Sequence, residues 1–212
     1  MEARIYNNGE RLIPGLTHDL PELIRHRSTY AFYRKIIALD QELTSDKPIR
    51  ILDLGCGVGY GCAELSGIPN STIIGVDMSP EAIEFARANY ARDNVSYLVA
   101  NIEDFVQKAE TFEYVVSRHV LEHVRQGLGL CSQLKWTKRL LVDVPFQEKA
   151  GVNPHHLVAE IDEVSFNPDP TSRFFYQDLS GVIFDRRPAN APRVIVKSGV
   201  WWGASGSVFL PG

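Results

Sequence analysis

Three glycines at alternate positions close a short strand-like run: Ile49-Arg-Ile-Leu leads into Asp53-Leu-Gly55-Cys-Gly57-Val-Gly59, and Tyr60-Gly61 follows. Glycine takes positive φ at no steric cost and lets a ligand approach backbone amides closely. A strand that ends in such a loop and passes into a helix implies a nucleotide-sized ligand. The dinucleotide fingerprint G-x-G-x-x-G fails in both registers, because Tyr60 or Cys62 stands where its third glycine is required. The spacing present is D-x-G-x-G-x-G.

The chain on either side of the loop alternates. The runs Ile49–Asp53, Ser71–Asp77, Val95–Val99, Phe112–Val116 and Arg139–Val144 are separated by helix-like segments, which predicts an α/β fold with a parallel sheet covered on both faces. Ser79-Pro80-Glu81 supplies an N-cap, a proline at the first helical position and an early acid, opening a helix to about Arg92. Before the first strand, Asp19-Leu-Pro-Glu22 opens a second helical region. Its apolar residues Leu20, Leu23, Ile24, Tyr30, Ala31, Ile36, Ile37, Leu39 and Leu43 recur at helical spacing until Ser45-Asp46-Lys47-Pro48. After Val144 the chain reads as irregular through Pro170. Leu179–Phe184 and Arg193–Val200 then form two apolar runs able to close the sheet as an antiparallel pair. The tail Trp201–Gly212 has no readable period. The expected organisation is one domain over 1–212: an N-terminal helical lid or flank (1–48), a ligand-binding core (49–146), and an acceptor-side loop with C-terminal strands (147–212).

Charge and cysteine usage narrow the partners. A net charge of -4 argues against a surface built to neutralise nucleic-acid phosphates, and the cluster Arg25, Arg27, Arg34 and Lys35 reads as a solvated helix face. Cys56, Cys62 and Cys131 leave an odd one over and form no C-x-x-C pair, which fits a reducing compartment. No basic-then-apolar leader opens the chain and no apolar run approaches the roughly 20 residues needed to span a bilayer. The expectation is a cytoplasmic protein without a membrane partner. Nothing in the pattern sets an oligomeric state.

Over about residues 49–146 this ordered series resembles class I methyltransferases that depend on S-adenosylmethionine (S-adenosyl-L-methionine, SAM), of the small-molecule kind (methyltransferase type 11 or 23-like). The resemblance implies a Rossmann-like, mostly parallel seven-stranded sheet with an antiparallel C-terminal strand and helices on both faces. It implies that Gly55, Cys56, Gly57 and Gly59 wrap the methionine part of SAM, with Asp53 holding its amino group directly or through water. Asp77, 18 positions after Gly59, takes the ribose hydroxyls, and Met78 lies against the adenine. Asn101 and Ile102 stand in the adenine-reading segment, where an aspartate is common in place of Asn101. Ligands of open α/β sheets sit outside the carboxyl ends of the strands, which brings Arg118 and His119, after the fourth strand, to the sulfonium and the acceptor.

His119-Val-Leu-Glu122-His123 places three polar side chains at i, i+3 and i+4, one face of a predicted helix. The same string is the H-x-x-E-H signature of one metallohydrolase class. Runs ending in Leu-Glu-His-Val also follow the fourth strand in many small-molecule methyltransferases. Asn153-Pro-His155-His156 returns to the same edge after the fifth strand. Small-RNA methyltransferases acting on a terminal ribose 2′-hydroxyl carry a similar Glu/His cluster that holds a divalent metal, with glutamate where this chain has His119. Two uses of the cluster therefore compete. His123, His156 and His119 are candidates for acid–base work on an acceptor hydroxyl; His119, Glu122, His123 and His156 are candidate ligands of a divalent metal, the less favoured option. The leader segment Asn8–Pro14, with His26 and Tyr30, and the region Val144–His156 resemble small-molecule and surface-glycan methyltransferases. The expected reaction is methyl transfer to a hydroxyl oxygen of a small-molecule or sugar-containing (glycan) acceptor. The alternatives are metal-assisted 2′-O-methylation of an RNA terminal ribose, a non-catalytic SAM-binding regulatory protein, and the metallohydrolase.

Overall fold

Asp19 opens the first helix, α1 (Leu20–Thr44), by accepting the backbone N–H of Glu22 at 2.9 Å. The computed structural model describes residues 12–14, 19–44, 47–189 and 193–199. Residues 8–11 of the leader segment and the tail Trp201–Gly212 lie outside them, as does Ser45-Asp46 of the expected helix stop. The chain then runs through β1 (Ile49–Leu54), α2 (Tyr60–Leu65), β2 (Ser71–Asp77), α3 (Pro80–Asn89), β3 (Val95–Val99), α4 (Ile102–Lys108) and β4 (Phe112–Arg118). A 3₁₀ turn (Leu121–His123), α5 (Gly127–Leu130), β5 (Trp136–Pro145), a second 3₁₀ turn (Val164–Phe166), β6 (Arg173–Gln177), β7 (Ile183–Phe184) and β8 (Arg193–Ser198) complete it.

The strands form one sheet in the order β3-β2-β1-β4-β5-β8-β6-β7. The first five are parallel; β8 joins β5 antiparallel, β6 joins β8 antiparallel, and β7 pairs with β6 antiparallel. Because β1 has β2 on one side and β4 on the other, the strand order reverses at β1. That point is where open α/β sheets bind ligands, and the glycine loop stands on it.

Both faces of the sheet are covered, as the uninterrupted burial of the central strands requires. On one face Ile51, Tyr114, Val116, Leu141 and Ile195 pack with Tyr33, Ile36 and Ile37 of α1, Leu65 of α2 and Ile83 of α3. On the other, Leu52, Val115, Leu140, Val142 and Val194 pack with Ile102 and Val106 of α4 and with Leu121 and Leu130. Phe112 and Tyr114, two apart in one strand, reach opposite faces because the β4–β5 register shifts between them. α1 lies along β4 in the reverse direction: Tyr33 Oη donates to Ser117 O at 3.2 Å, and further along the helix Asp40 meets Tyr114 and Arg139. A Cβ on Gly61 would lie 2.0 Å from Cζ of Tyr30, so α2 packs on α1 only where a side chain is missing.

The expected Rossmann-like, mostly parallel sheet is present, with eight strands among the described residues rather than seven, because Arg173-Phe-Phe-Tyr-Gln177 forms one outside the two apolar runs. Three expectations of detail are corrected. The run Leu179–Phe184 contributes only Ile183–Phe184, and β7 pairs with β6 rather than with β8. Its first half is a turn in which Asp178 Oδ1 accepts from Ser180 N at 2.9 Å and Val182 N at 3.0 Å. Residues 119–123 are not a helical face: His119 has φ 57 and only Leu121–His123 form a 3₁₀ turn. The helix from Pro80 ends at Asn89, short of Arg92.

Candidate active site

All three loop glycines adopt positive φ: 76 at Gly55, 53 at Gly57 and 84 at Gly59. Two of them are also held by close packing, since a Cβ at Gly55 would lie 2.2 Å from Val120 Cγ2 and one at Gly59 would lie 2.6 Å from Ala86 Cβ. Gly57 is different, because a Cβ there would meet nothing within 4 Å. The loop is stitched to the end of β2: Gly55 N and Cys56 N both donate to Val76 O, and Gly57 N donates to Asp77 Oδ2 at 2.9 Å. Asp77 Oδ1 accepts from Ser79 N, also at 2.9 Å. One carboxylate thus sets the shape of two successive strand-to-helix loops. Cys56 is buried, its sulfur near Gly75, and offers its backbone to the loop side.

Met78, beside Asp77, is 65% exposed, while Ile102 is buried. Asn101 caps α4, its Oδ1 accepting from Glu103 N at 2.8 Å and Asp104 N at 3.2 Å. Asp53 lies under the loop with no exposed surface and accepts from Tyr30 Oη at 3.1 Å and Cys62 Sγ at 3.3 Å. Burial pushes its carboxyl up to about 7, although the Cys62 and Tyr30 donors favour the charged form. From its ordinary 3.8 up to about 7 the folded chain therefore keeps a proton that the unfolded chain releases, and stability falls as pH rises through that interval. Asp53→Asn is expected to flatten the decline in urea midpoint between about pH 4 and about pH 7. Parallel pH profiles in parent and variant would contradict this assignment.

At the end of β4, Arg118 turns away from the loop to the first turn of α1, its Nη2 3.4 Å from Glu22 Oε1. Arg193, at the start of β8, reaches the same oxygen at 3.3 Å and Asp143 Oδ1 at 3.6 Å. Burial would raise Glu22, but the guanidiniums of Arg193, Arg118 and Arg25 bring it down to about 2. Asp143 is raised by its burial and accepts from Thr29 Oγ1 at 3.2 Å. Sequence reasoning missed this network. Glu22 was visible only as a capping acid, and its partner Arg193 is 171 positions away.

The polar segment after β4 converges without a helix. His119 N donates to Asp143 O at 3.1 Å, extending the β4–β5 edge by one residue, and its left-handed backbone turns Val120 back onto Gly55. Glu122 is fully buried; its main-chain oxygen accepts from Leu157 N and Val158 N at 2.7 and 3.0 Å, which docks the loop after β5 against this turn. That loop delivers His156. The rings of His119, His123 and His156 pack with centroids 4.8 to 5.4 Å apart, and His119 Nδ1 meets Glu122 Oε1. Burial, helped by Arg193 and Arg118, holds His119 well below its ordinary pKa, and burial raises Glu122. Glu148, which no sequence motif marked, contacts His156 Nδ1 at 2.5 Å. Asp53, Asp77 and the three glycines meet in or under the loop, and His119, Glu122, His123 and His156 meet in the cluster, whereas Asn101 caps α4, Ile102 packs in the core and Met78 stands exposed. His155 is exposed and lends its main-chain oxygen to His123 Nδ1 at 3.1 Å.

Residues 45–149 match a family model described as a methyltransferase domain. The malonyl-[acyl-carrier protein] O-methyltransferase of Halalkalibacterium halodurans is 30% identical over 123 residues, covering 54% of this chain and 45% of that protein. The ubiquinone biosynthesis O-methyltransferase of Actinobacillus pleuropneumoniae is 35% identical over 94 residues, 41% of this chain and 39% of its own length. The matches thus span less than half the length of these relatives. Among solved structures, magnesium protoporphyrin IX methyltransferase from Synechocystis PCC 6803 with bound SAH shares the fold at a TM-score of 0.63 and 17% identity. That match covers 93% of this chain and 92% of the other.

Proposed function

We propose that this chain, whose residues 45–149 match a methyltransferase-domain family model, is a class I SAM-dependent methyltransferase that transfers the methyl group of SAM to a hydroxyl oxygen of a small or sugar-containing acceptor. The observation that carries the reading is the join between Asp77 and Gly57. A carboxylate at the tip of β2 bonds to the most open glycine of the loop, at the point where the strand order reverses. The residues present fit SAM. Gly57 leaves space where any other residue would place a Cβ, and Met78 offers an exposed apolar side chain next to the carboxylate.

In this reading Gly55 to Gly59 hold the methionine part, and Asp53 acts on its ammonium through the loop. Asp77 accepts the ribose hydroxyls alongside its backbone donors, since each carboxylate oxygen can accept more than one hydrogen bond. Met78, Ile102 and the amide of Asn101 line the adenine side. Arg118, committed to Glu22, steadies α1 at the carboxyl edge rather than contacting the cofactor. When bound, SAM supplies a methyl group already activated by its sulfonium. The protein's remaining work is to align the acceptor and take its proton. His123 and His156 stand on the acceptor side as proton acceptors, with His119 and Glu122 positioned behind them. The two relatives described above are named O-methyltransferases, which supports oxygen as the acceptor atom.

The test is a panel of hydroxylated and sugar-containing acceptors incubated with SAM and read by release of S-adenosylhomocysteine. Turnover with at least one acceptor is expected. Removing the base by His123→Ala should slow kcat by about 10²–10⁴-fold while SAM affinity holds. SAM binding without release on any acceptor would favour the non-catalytic regulatory alternative and overturn the proposal.

A further inference from the structure

We propose that His119, Glu122, His123 and His156 form a binding site for one divalent transition-metal ion. Each residue offers one ligand atom, and these atoms all lie within 4.8 Å of one another. A tetrahedral ion with ligand bonds of roughly 2.0–2.2 Å sets its donors about 3.3–3.6 Å apart. Modest side-chain rotations therefore close the cluster on an ion.

The donor chemistry selects the class of ion. Three imidazoles and a single carboxylate suit zinc, iron, nickel or copper, whereas calcium and magnesium take sets of oxygen ligands. Glu122 carries the second, independent sign. It has no exposed surface, yet Oε2 makes no hydrogen bond among the described residues. A buried carboxylate oxygen left so is costly, and a cation is the partner this position lacks.

The rings are also held in the manner of metal ligands. His123 Nδ1 meets the His155 main-chain oxygen at 3.1 Å, and His156 Nδ1 meets the Glu148 carboxylate at 2.5 Å. Histidines that ligate metals have one ring nitrogen fixed to a carbonyl or carboxylate in this way, which orients the other toward the ion. His119 contributes from a backbone with φ 57, a conformation uncommon outside glycine and retained here where its ring joins the cluster. The four residues come from the turn after β4 and the loop after β5, pinned together by the two bonds to Glu122 O. An ion bound here would hold His123 and His156 as ligands, so its polarisation of an acceptor hydroxyl would take the place of the base role given to them above. That role rests on the acceptor-side reading above; the binding itself does not.

The test uses the whole chain, stripped of metal and titrated with Zn²⁺ against a chromophoric chelator, without SAM or acceptor. One equivalent is expected to bind. His156→Asn and the isosteric Glu122→Gln should weaken it by at least about 100-fold, and Glu148→Gln by about 10–100-fold. Far-UV circular dichroism and SAM affinity serve as folding controls, and SAM affinity in Glu148→Gln should match the parent. Cobalt substitution should give a visible absorption spectrum that is lost in His156→Asn. Substoichiometric zinc, or equal affinity in the parent and a folded His156→Asn variant, would overturn the site. A chain that binds zinc but not SAM keeps this inference and overturns the proposed function; the reverse result separates them the other way.

Discussion

Asp40→Ala is expected to lower the unfolding free energy by about 3–5 kcal/mol, read from urea denaturation. Asp40 and Arg139 form a two-pronged ion pair: Arg139 Nε lies 2.5 Å from Oδ2, and Nη2 lies 2.7 Å from Oδ1. Both are buried, Arg139 to 1% exposure. The pair ties α1 to β5, and Arg139 Nη1 also donates to Gly199 O at 3.1 Å. Alanine at 40 removes the carboxylate facing a guanidinium that stays charged and has no route to water. The penalty is therefore the desolvation of that cation more than the loss of an attraction. Replacing both partners by apolar residues, as in Asp40→Leu with Arg139→Met, should cost less than Asp40→Ala alone. A single-variant loss under about 1 kcal/mol, the range of a surface pair, would contradict the buried-pair account.

Asp77→Ala is expected to weaken SAM binding by about 10²–10⁴-fold. Hydrogen bonds to a charged group contribute about 1.5–3 kcal/mol each, and about 1.4 kcal/mol is a factor of ten. The carboxylate is assigned two ribose hydroxyls, and it also holds Gly57 N and Ser79 N at 2.9 Å, so the loss reaches loop geometry as well as ligand contact. Asp77→Asn keeps one acceptor oxygen and should fall between parent and alanine. The measurement is calorimetric titration of each variant with SAM, with circular dichroism confirming the fold. Affinity within about threefold of the parent would refute the ribose assignment.

The glycine loop and the elements around it were readable because their signals are local. The strand, the three glycines and the capped helix at Ser79 each occupy a few consecutive residues, and six of the eight described strands, the five parallel ones and β8, fall on runs marked in the sequence. The histidine cluster and the Glu22–Arg193 network depend on long-range pairing that no window contains. Glu148 finds His156 and Glu22 finds Arg193 only once β5 and β8 are in place. In residues 119–123 the spacing matched a helix, but the backbone obeyed its neighbours. His119 N is taken by Asp143 O, and Val120 must lie against a glycine, so the chain turns instead. The grouping of His119, Glu122 and His123 survived because a left-handed residue followed by a 3₁₀ turn also gathers these positions. The missed strand had a signal in its three consecutive aromatic residues, Phe174, Phe175 and Tyr176, bounded by Pro170 and the turn at Asp178. Asn101 shows the converse: its place in the series was anticipated, yet its side-chain oxygen caps a helix. Among the described residues no helix is long and apolar enough to cross a membrane.

The most direct measurement of the central claim is calorimetric titration of the folded parent chain with SAM, repeated with S-adenosylhomocysteine. One-to-one binding of both is expected, weakened in parallel by Asp77→Ala. A folded chain that binds neither would contradict the account at its root.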